Sequence, residues 1–429
     1  YNDLNVIIDE SHTLLNINSI SESTINIELI DKAITEIKNR IPEYSDVIHT
    51  LNMLKERIMK LPKPRMKGYK IIDKNEIIEL IREPELILDA AEELRFRIAS
   101  EALYSLDMGS LINIRSYLHK VSLWIESLFD DDTRLFYSYD DRDRVVLVST
   151  ILDPALITRE PLEASKSVVM MSGTMPPYSF LSKILGINRS IKYIDTSLLI
   201  SNGKANSQLK STYTCVASDV TTKFTERGKL MYSRIASYIS IIHARIPGQK
   251  LVVYPSYEVM KGIVDKLPSG IRVYIEDRSS SIDDVYESLS DSDTLINAVA
   301  GGKITEGIEF LDEHGNSVIR TIIIVGVPYP QPDDYTREQL NVLANRLGES
   351  VAREFIYRYL AVVRVRQALG RAIRGPSDRA VFFLLDYRFL RKDLRRALEI
   401  KYDRVFRGLY GLVSVLKDAL IFLESSGGG

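Results

Sequence analysis

Five apolar runs in the second half of the chain, Leu251 to Tyr254, Ile271 to Ile275, Thr294 to Val299, Thr321 to Val325 and Val381 to Leu385, constrain the fold more than any other feature. Each is short enough for one buried strand, and helical patterns lie between most of them. Strand–helix alternation of this kind predicts an open α/β sheet, largely parallel, with helices on both faces. Ligands of such sheets bind beyond the carboxyl ends of the strands, so the residues after each run are where chemistry is to be sought.

The first half reads differently. Leu4 to Ile8 is a short apolar run, predicted to be a buried strand, that ends on Asp9 and Glu10. From about Ile25 to Phe129 the period becomes helical. Leu29, Ile30, Ala33, Ile34 and Ile37 share one face, and Ile114, Tyr117, Leu118, Val121, Trp124, Ile125 and Leu128 share another. Asp-Asp-Arg-Asp between Leu135–Tyr139 and Val145–Thr150 predicts a hairpin, and Val168 to Met171 another strand. A polar stretch near Ser201 to Ser211 reads as a linker. No window approaches the roughly 20 apolar residues of a membrane-spanning helix. Cys215 is the sole cysteine, which excludes an internal disulfide or a cysteine-ligated cluster and favours a reducing, intracellular setting. Net charge is −2, yet Arg358 to Arg407 carries fourteen Lys/Arg against five Asp/Glu. Such asymmetry suits a polyanion partner, although solvated helix faces would account for most of these arginines.

Four stretches could carry chemistry. Asp9-Glu10-Ser11-His12 follows a strand. There an acid can hold Mg²⁺ through water and a second can activate the attacking water, although Asp9 or Ser11 could equally cap a helix. Ser172-Gly173-Thr174 follows the next strand; by itself it is an ordinary turn. Ala300-Gly301-Gly302-Lys303-Ile304-Thr305-Glu306-Gly307 follows a third, where paired glycines and helix-start amides suit an anion, or simply a tight turn. Gln367, Arg371 and Arg374 fall on one helix face, where two arginines suit the charge of a transferring phosphoryl group. Gly370 costs that helix about 1 kcal/mol relative to alanine, which points to a close approach.

In order and spacing these motifs resemble superfamily 2 helicases read from motif II to motif VI, and in detail the XPD/DinG branch of iron–sulfur DNA helicases, most of all archaeal XPD. Val253-Tyr254-Pro255-Ser256-Tyr257, Gly326-Val327-Pro328-Tyr329-Pro330, Gln367 to Pro376 and Leu384-Leu385-Asp386-Tyr387-Arg388 add to the resemblance, which covers residues 4–424. It implies RecA-like parallel-sheet motor domains with a helical, arch-like insert. Residues 1–16 and 145–209 would be a remnant of motor domain 1, 17–144 the insert, 210–424 motor domain 2 and 425–429 a flexible tail.

By the same resemblance Asp9 would bind Mg²⁺, with Glu10 beside it activating water, and His12 would couple hydrolysis to motion together with Ser172, Gly173 and Thr174. Gln367, Arg371 and Arg374 would face the γ-phosphate. Gly301, Gly302, Lys303, Thr305, Glu306 and Gly307, with Ser256 and Tyr257, would lie at nucleotide and DNA. Tyr254, Tyr257 and Tyr329 are candidate stackers, for each of which core packing is the simpler expectation. The family moves 5′ to 3′ on single-stranded DNA using ATP, opens fork or bubble substrates and acts in repair. Repair-protein partners, no membrane, a monomer and a cytoplasmic (in a eukaryote, nuclear) location are therefore expected.

Ser11 stands where the family usually has alanine, a change expected to matter little. Neither GxxxxGK[ST] nor the four cysteines of a 4Fe-4S domain occurs in the 429 residues. Both precede motif II in the family, so the chain is expected to be truncated before motif II and inactive by itself. The competing expectation is a non-catalytic module, derived from a helicase, that binds single-stranded DNA or a partner protein.

Overall fold

The structure, a computed structural model, describes residues 3–63, 68–104, 116–140, 142–194, 211–277, 282–289, 293–308, 310–312, 315, 317–373 and 378–424. Ile114, Glu309, Arg374 to Pro376, the tail and the linker before Ser211 lie outside that set. By internal contacts the chain forms two units, Tyr1–Ile191 with Gln331–Arg353, and Lys192–Pro330 with Glu354–Gly429.

In the first unit β1 (Asn5–Ile8) pairs in parallel with β6 (Ser167–Met170), Asn5 opposite Ser167 and Ile8 opposite Met170. The expectation of a buried strand fails here. Ile7 is 70% exposed and Val169 is 50% exposed, because among the described residues no further strand joins this pair. Parallel sheets are ordinarily covered on both faces; this one is not.

The segment between these strands, expected to be a helical insert, holds helices around a sheet. The strands β2 (Ser23–Asn26), β3 (Lys70–Ile72), β4 (Thr133–Tyr139) and β5 (Val145–Ile151) pair antiparallel in the order β2-β5-β4-β3. The predicted hairpin is β4–β5. β5 pairs with β4 and β2, so this sheet runs across the expected boundary at 144/145. Helices Ile27–Arg40, Ser45–Met59, Pro84–Tyr104 and Tyr117–Ser127 bury one face of it; Ile30, Ala33, Ile34 and Ile37 interlock there with Leu118, Val121, Trp124 and Ile125. The helix starts are fixed by side chains. Asn26 accepts from the Leu29 amide at 2.8 Å, and Glu36 accepts from the amides of Tyr117 and Leu118 at 2.8 and 2.9 Å.

Residues 331–353, which the sequence places within motor domain 2, pack in this first unit. Helix Asp334–Leu347 is held at its start by the Tyr69 amide on Asp333 (3.1 Å) and by Tyr335 between Tyr69 and Phe136, ring centroids 5.3 Å from each. Near its end Arg346 forks onto buried Asp153 at 2.5 and 2.7 Å.

The second unit contains the sheet that the apolar runs predicted. Seven parallel strands, β7 (Thr212–Ala217), β8 (Lys250–Tyr254), β9 (Val273–Ile275), β10 (Leu295–Val299), β11 (Thr321–Val325), β12 (Ala380–Leu385) and β13 (Arg404–Phe406), are ordered β13-β7-β12-β11-β8-β10-β9. Alternate residues feed two cores. Val252, Tyr254, Ile323, Val325, Phe383 and Leu385 meet helices Lys229–Arg245 and Gly408–Glu424. Leu251, Val253, Ile322, Ile324, Phe382 and Leu384 meet helix Leu360–Gly370. Two-sided burial explains why β8, β10, β11 and β12 read as nearly continuous apolar runs. Among the described residues no helix is long and apolar enough to cross a membrane.

Candidate functional site

The end of β1 carries the first group of candidate residues. Glu10 adopts a left-handed backbone (φ 47°), which turns the chain sharply from the strand into the 3-10 helix Ser11–Asn16. Asp9 and Glu10 are thereby exposed at the strand end, with Asp9 Oδ1 accepting the Glu10 amide at 2.8 Å. His12 is buried, and its Nδ1 lies 2.7 Å from Ser172 Oγ and 3.2 Å from Glu10 Oε2. Ser172 also accepts the Thr174 amide at 3.1 Å. The residues after β1 and after β6 are therefore joined, through His12 and through a direct donation from Ser172 Oγ to Glu10 Oε2 at 3.4 Å. Ser11 is more than a stand-in for alanine. It is fully buried, and its hydroxyl donates to the Met171 carbonyl at 2.9 Å beside its own amide, which does the same.

The second group follows β10 in the other unit. The Gly301–Gly302 turn leads into the short helix Lys303–Gly307, and its amides can be accounted for one by one. Val299 and Ile304 donate to the carboxylate of Glu276 at 2.7 and 3.2 Å, and the Lys303 amide bonds it too. Ala300 donates to Tyr254 O, Gly301 to Thr305 Oγ1, Gly302 to Val299 O, and Thr305 and Glu306 to Gly302 O. The expected amide cradle for a phosphate is thus filled from within the chain. What the turn presents to solvent is Gly301, Lys303, Glu306 and Gly307.

Arg371 grips the far end of that helix, donating from Nε to the Thr305 carbonyl at 2.8 Å and from Nη1 to the Ile308 carbonyl at 2.9 Å. Gln367 is half-buried on the same helix face, and Arg374 lies outside the described residues. Ser256 caps helix Tyr257–Val264 by accepting the Val259 amide at 3.3 Å, and Tyr257 packs against the core. Tyr254 is a core residue, its hydroxyl donating to Asn297 Oδ1 at 2.9 Å, whereas Tyr329 is half-buried beneath the Arg388 guanidinium. Only part of the basic tract is paired: Arg366 with Glu399, Arg388 with Asp386 and Arg391 with Asp393 within it, and Arg404 with Asp418, which lies beyond it.

Two participants, Glu276 and Arg364, were missed from the sequence, and a third, Asp386, was named there without a role. Glu276, one residue past β9, looks like a surface acid. Arg364 lies close to Gly301 and Glu306 and has its pKa lowered by burial, against the pull of Glu306. Asp386, fully buried, collects Thr221 Oγ1, the Thr222 amide and Arg388. For Glu276 the only sequence signal was its place at a strand's carboxyl end.

An exposed carboxylate pair fits a hydrated Mg²⁺, which keeps several waters and takes one or two carboxylates beside phosphates. Among the described residues no set of three or more His, Cys, Asp or Glu gathers as a metal cage.

Residues 239–402 match the helicase C-terminal domain family. The chain is 30% identical over 391 residues to the ATP-dependent DNA helicase XPD of Sulfolobus acidocaldarius, an alignment covering 90% of this chain and 65% of that protein. It is 28% identical over 308 residues to the ATP-dependent DNA helicase chl-1 of Caenorhabditis elegans, across 64% of this chain and 35% of the relative. A solved structure of XPD in its apo form matches with a TM-score of 0.72 at 26% identity, covering 94% of this chain and 76% of that one. The chain therefore spans less than two thirds of the curated relatives it matches.

Proposed function

We propose that the chain is part of an XPD-like helicase, the group it is similar to, and that it carries the water-activating and strand-gripping parts of an ATP-driven motor on single-stranded DNA. In this reading the whole protein moves 5′ to 3′, opens forked or bubble DNA and serves repair. The supporting observation is the hydrogen-bonded group at the end of β1, where Glu10 is tied through His12 to Ser172.

When bound, Mg²⁺ neutralises charge on the nucleotide phosphates; Asp9 and Glu10 would hold it through water. Glu10, on its left-handed turn, is placed to orient an attacking water and take its proton. His12 passes any displacement of Glu10 to Ser172 and hence to the segment after β6. In the second unit Arg371 ties the Thr305 helix to the helix bearing Gln367, so these move as one body; Arg374 is assigned to the γ-phosphate on sequence grounds alone. DNA contact through Lys303 and its neighbours would be phosphate-directed, sequence-tolerant and weakened by salt. A 4Fe-4S cluster belongs to the proposal only for segments beyond these 429 residues, since one buried cysteine cannot hold it.

In the full-length protein, Glu10→Gln is expected to abolish DNA-stimulated ATP turnover while ATP binding persists; normal turnover would refute the assignment. The second reading, a non-catalytic module for single-stranded DNA or a partner protein, draws on the lack of GxxxxGK[ST] in this sequence. ATP turnover that is absent both from this chain and from the full-length protein would favour it.

A further inference from the structure

We propose that Glu276 is the positioning residue of the Gly301–Thr305 turn: its buried carboxylate is a built-in anion that occupies the helix-start amides and sets the register of Thr305 against Arg371. The consequence for catalysis rests on the reading above; the geometry does not.

Glu276 is 1% exposed and leaves the end of β9 with its own amide on the Asn297 carbonyl at 2.9 Å. Its side chain then crosses to the next strand's turn. Oε2 accepts from Val299 at 2.7 Å and Oε1 from Ile304 at 3.2 Å, with the Lys303 amide beside them. Burial pushes its pKa up, and the amides of Val299, Ile304 and Lys303 oppose that shift. A carboxylate is an acceptor only, which is what three converging N–H donors require. A glutamine would turn its NH₂ onto one of them, and an aspartate is a methylene too short.

Gly302 reads differently in this light. A Cβ there would lie 2.7 and 2.8 Å from the two carboxylate oxygens and 2.9 Å from the Val299 carbonyl. The glycine makes room for Glu276 rather than for a phosphate. An incoming phosphate would have to eject a buried carboxylate or crowd a second negative charge onto the same amides.

The short helix is consequently held at both ends, by a carboxylate at its start and by a guanidinium at its last carbonyls, each with the sign that its terminus favours. Between them Thr305 Oγ1 lies 3.1 Å from the carbonyls of Val299 and Gly302 and accepts the Gly301 amide. Displacing Glu276 frees the start of the helix, and Thr305 then loses its fixed relation to Arg371.

The test compares Glu276→Gln, Glu276→Asp and Glu276→Ala in the full-length protein by two readouts. Amide hydrogen exchange over residues 299–306 needs neither ATP nor DNA, and is expected to rise about tenfold or more in all three, the scale of one lost buried hydrogen bond. In DNA-stimulated ATP hydrolysis kcat is expected to fall about tenfold while KM for ATP stays within about twofold. If Glu276→Gln exchanges and turns over like the parent protein, Glu276 is a space filler and the proposal is overturned. Raised exchange with an unchanged kcat in an active protein overturns it equally. Should the alanine variant fail to fold, Gly302→Ala displaces the same carboxylate, and unaltered exchange there refutes the clamp. A parent protein without ATP turnover refutes the motor reading instead, and leaves the clamp to the exchange result.

Discussion

Removing the Arg346 side chain is expected to destabilise the first unit far more than removing the charge of its partner. Asp153 is buried and Arg346 is 30% exposed, joined by two hydrogen bonds of 2.5 and 2.7 Å. The guanidinium also donates to the carbonyls of Lys183 and Ile184 at 2.7 and 2.9 Å, where helix Tyr178–Leu185 ends. Arg346→Ala strands a buried carboxylate and unties a helix terminus, a loss of about 3–5 kcal/mol. Asp153→Asn keeps an acceptor for the Ala155 amide, now 2.9 Å from Oδ1, and leaves a cation that water can reach. It should cost only about 1–2 kcal/mol. The assay is urea unfolding followed by tryptophan fluorescence, since the single Trp124 lies in the core of this unit. Proteolysis of residues 331–353 should accelerate in parallel. Equal losses for the two variants, or less than about 1 kcal/mol for Arg346→Ala, would refute the idea that the buried carboxylate carries the cost.

Two further outcomes follow from the geometry. His12→Ala and Ser172→Ala should each lower DNA-stimulated ATP turnover of the full-length protein about tenfold, and the double variant by less than the product of the two, because both bond Glu10 and each other in one group; fully additive losses would break that link. Burial and Lys250 push the His243 pKa below 6.5, against the pull of Asp293. The folded imidazole therefore binds a proton less readily than the unfolded one, so stability is intact above pH 6.5 and falls below it. Wild type should lose more stability between pH 7.5 and pH 5.5 than His243→Gln in urea titrations; equal losses would exclude His243 as the source.

Four of the five runs of the second half were legible because their strands, β8, β10, β11 and β12, are buried on both faces, with Asn297 a polar exception inside β10; the fifth, β9, is an edge strand with Val273 and Ile275 exposed. β7 and β13 were not legible, for opposite reasons. Thr212, Tyr213 and Thr214 dilute the apolar signal of β7, and β13 is a three-residue edge strand that carries Arg404. Local sequence could not place residues 331–353 either. Their attachment depends on Tyr69, Phe136 and Asp153, more than 150 residues away in the chain, and nothing in the period of a helix says which sheet it covers. β5 is a different case: the sequence already pairs it with β4 as a hairpin, and the expected boundary at 144/145 divides that hairpin.

At the candidate sites, the residue types were legible and their partners were not. Gly301-Gly302 before a helix start reads either as an anion close to amides or as a tight turn, and here a tight turn places its amides on an anion from within the chain. The anion is Glu276, supplied by a different strand. Likewise two arginines on a helix face signal negative charge, yet Arg371 meets the partial charge of the Thr305 and Ile308 carbonyls. A motif fixes the sign and shape of what it can bind, and the rest of the fold decides whether a ligand or the chain itself fills that place. Glu10, His12 and Ser172 differ in this respect. They bond to one another and still leave the carboxylates of Asp9 and Glu10 exposed at a strand end. The strand-end acids thus keep the charged groups of the motif itself exposed, whereas at the glycine turn the helix-start amides are filled by Glu276 and only side chains such as Lys303 and Glu306 face solvent.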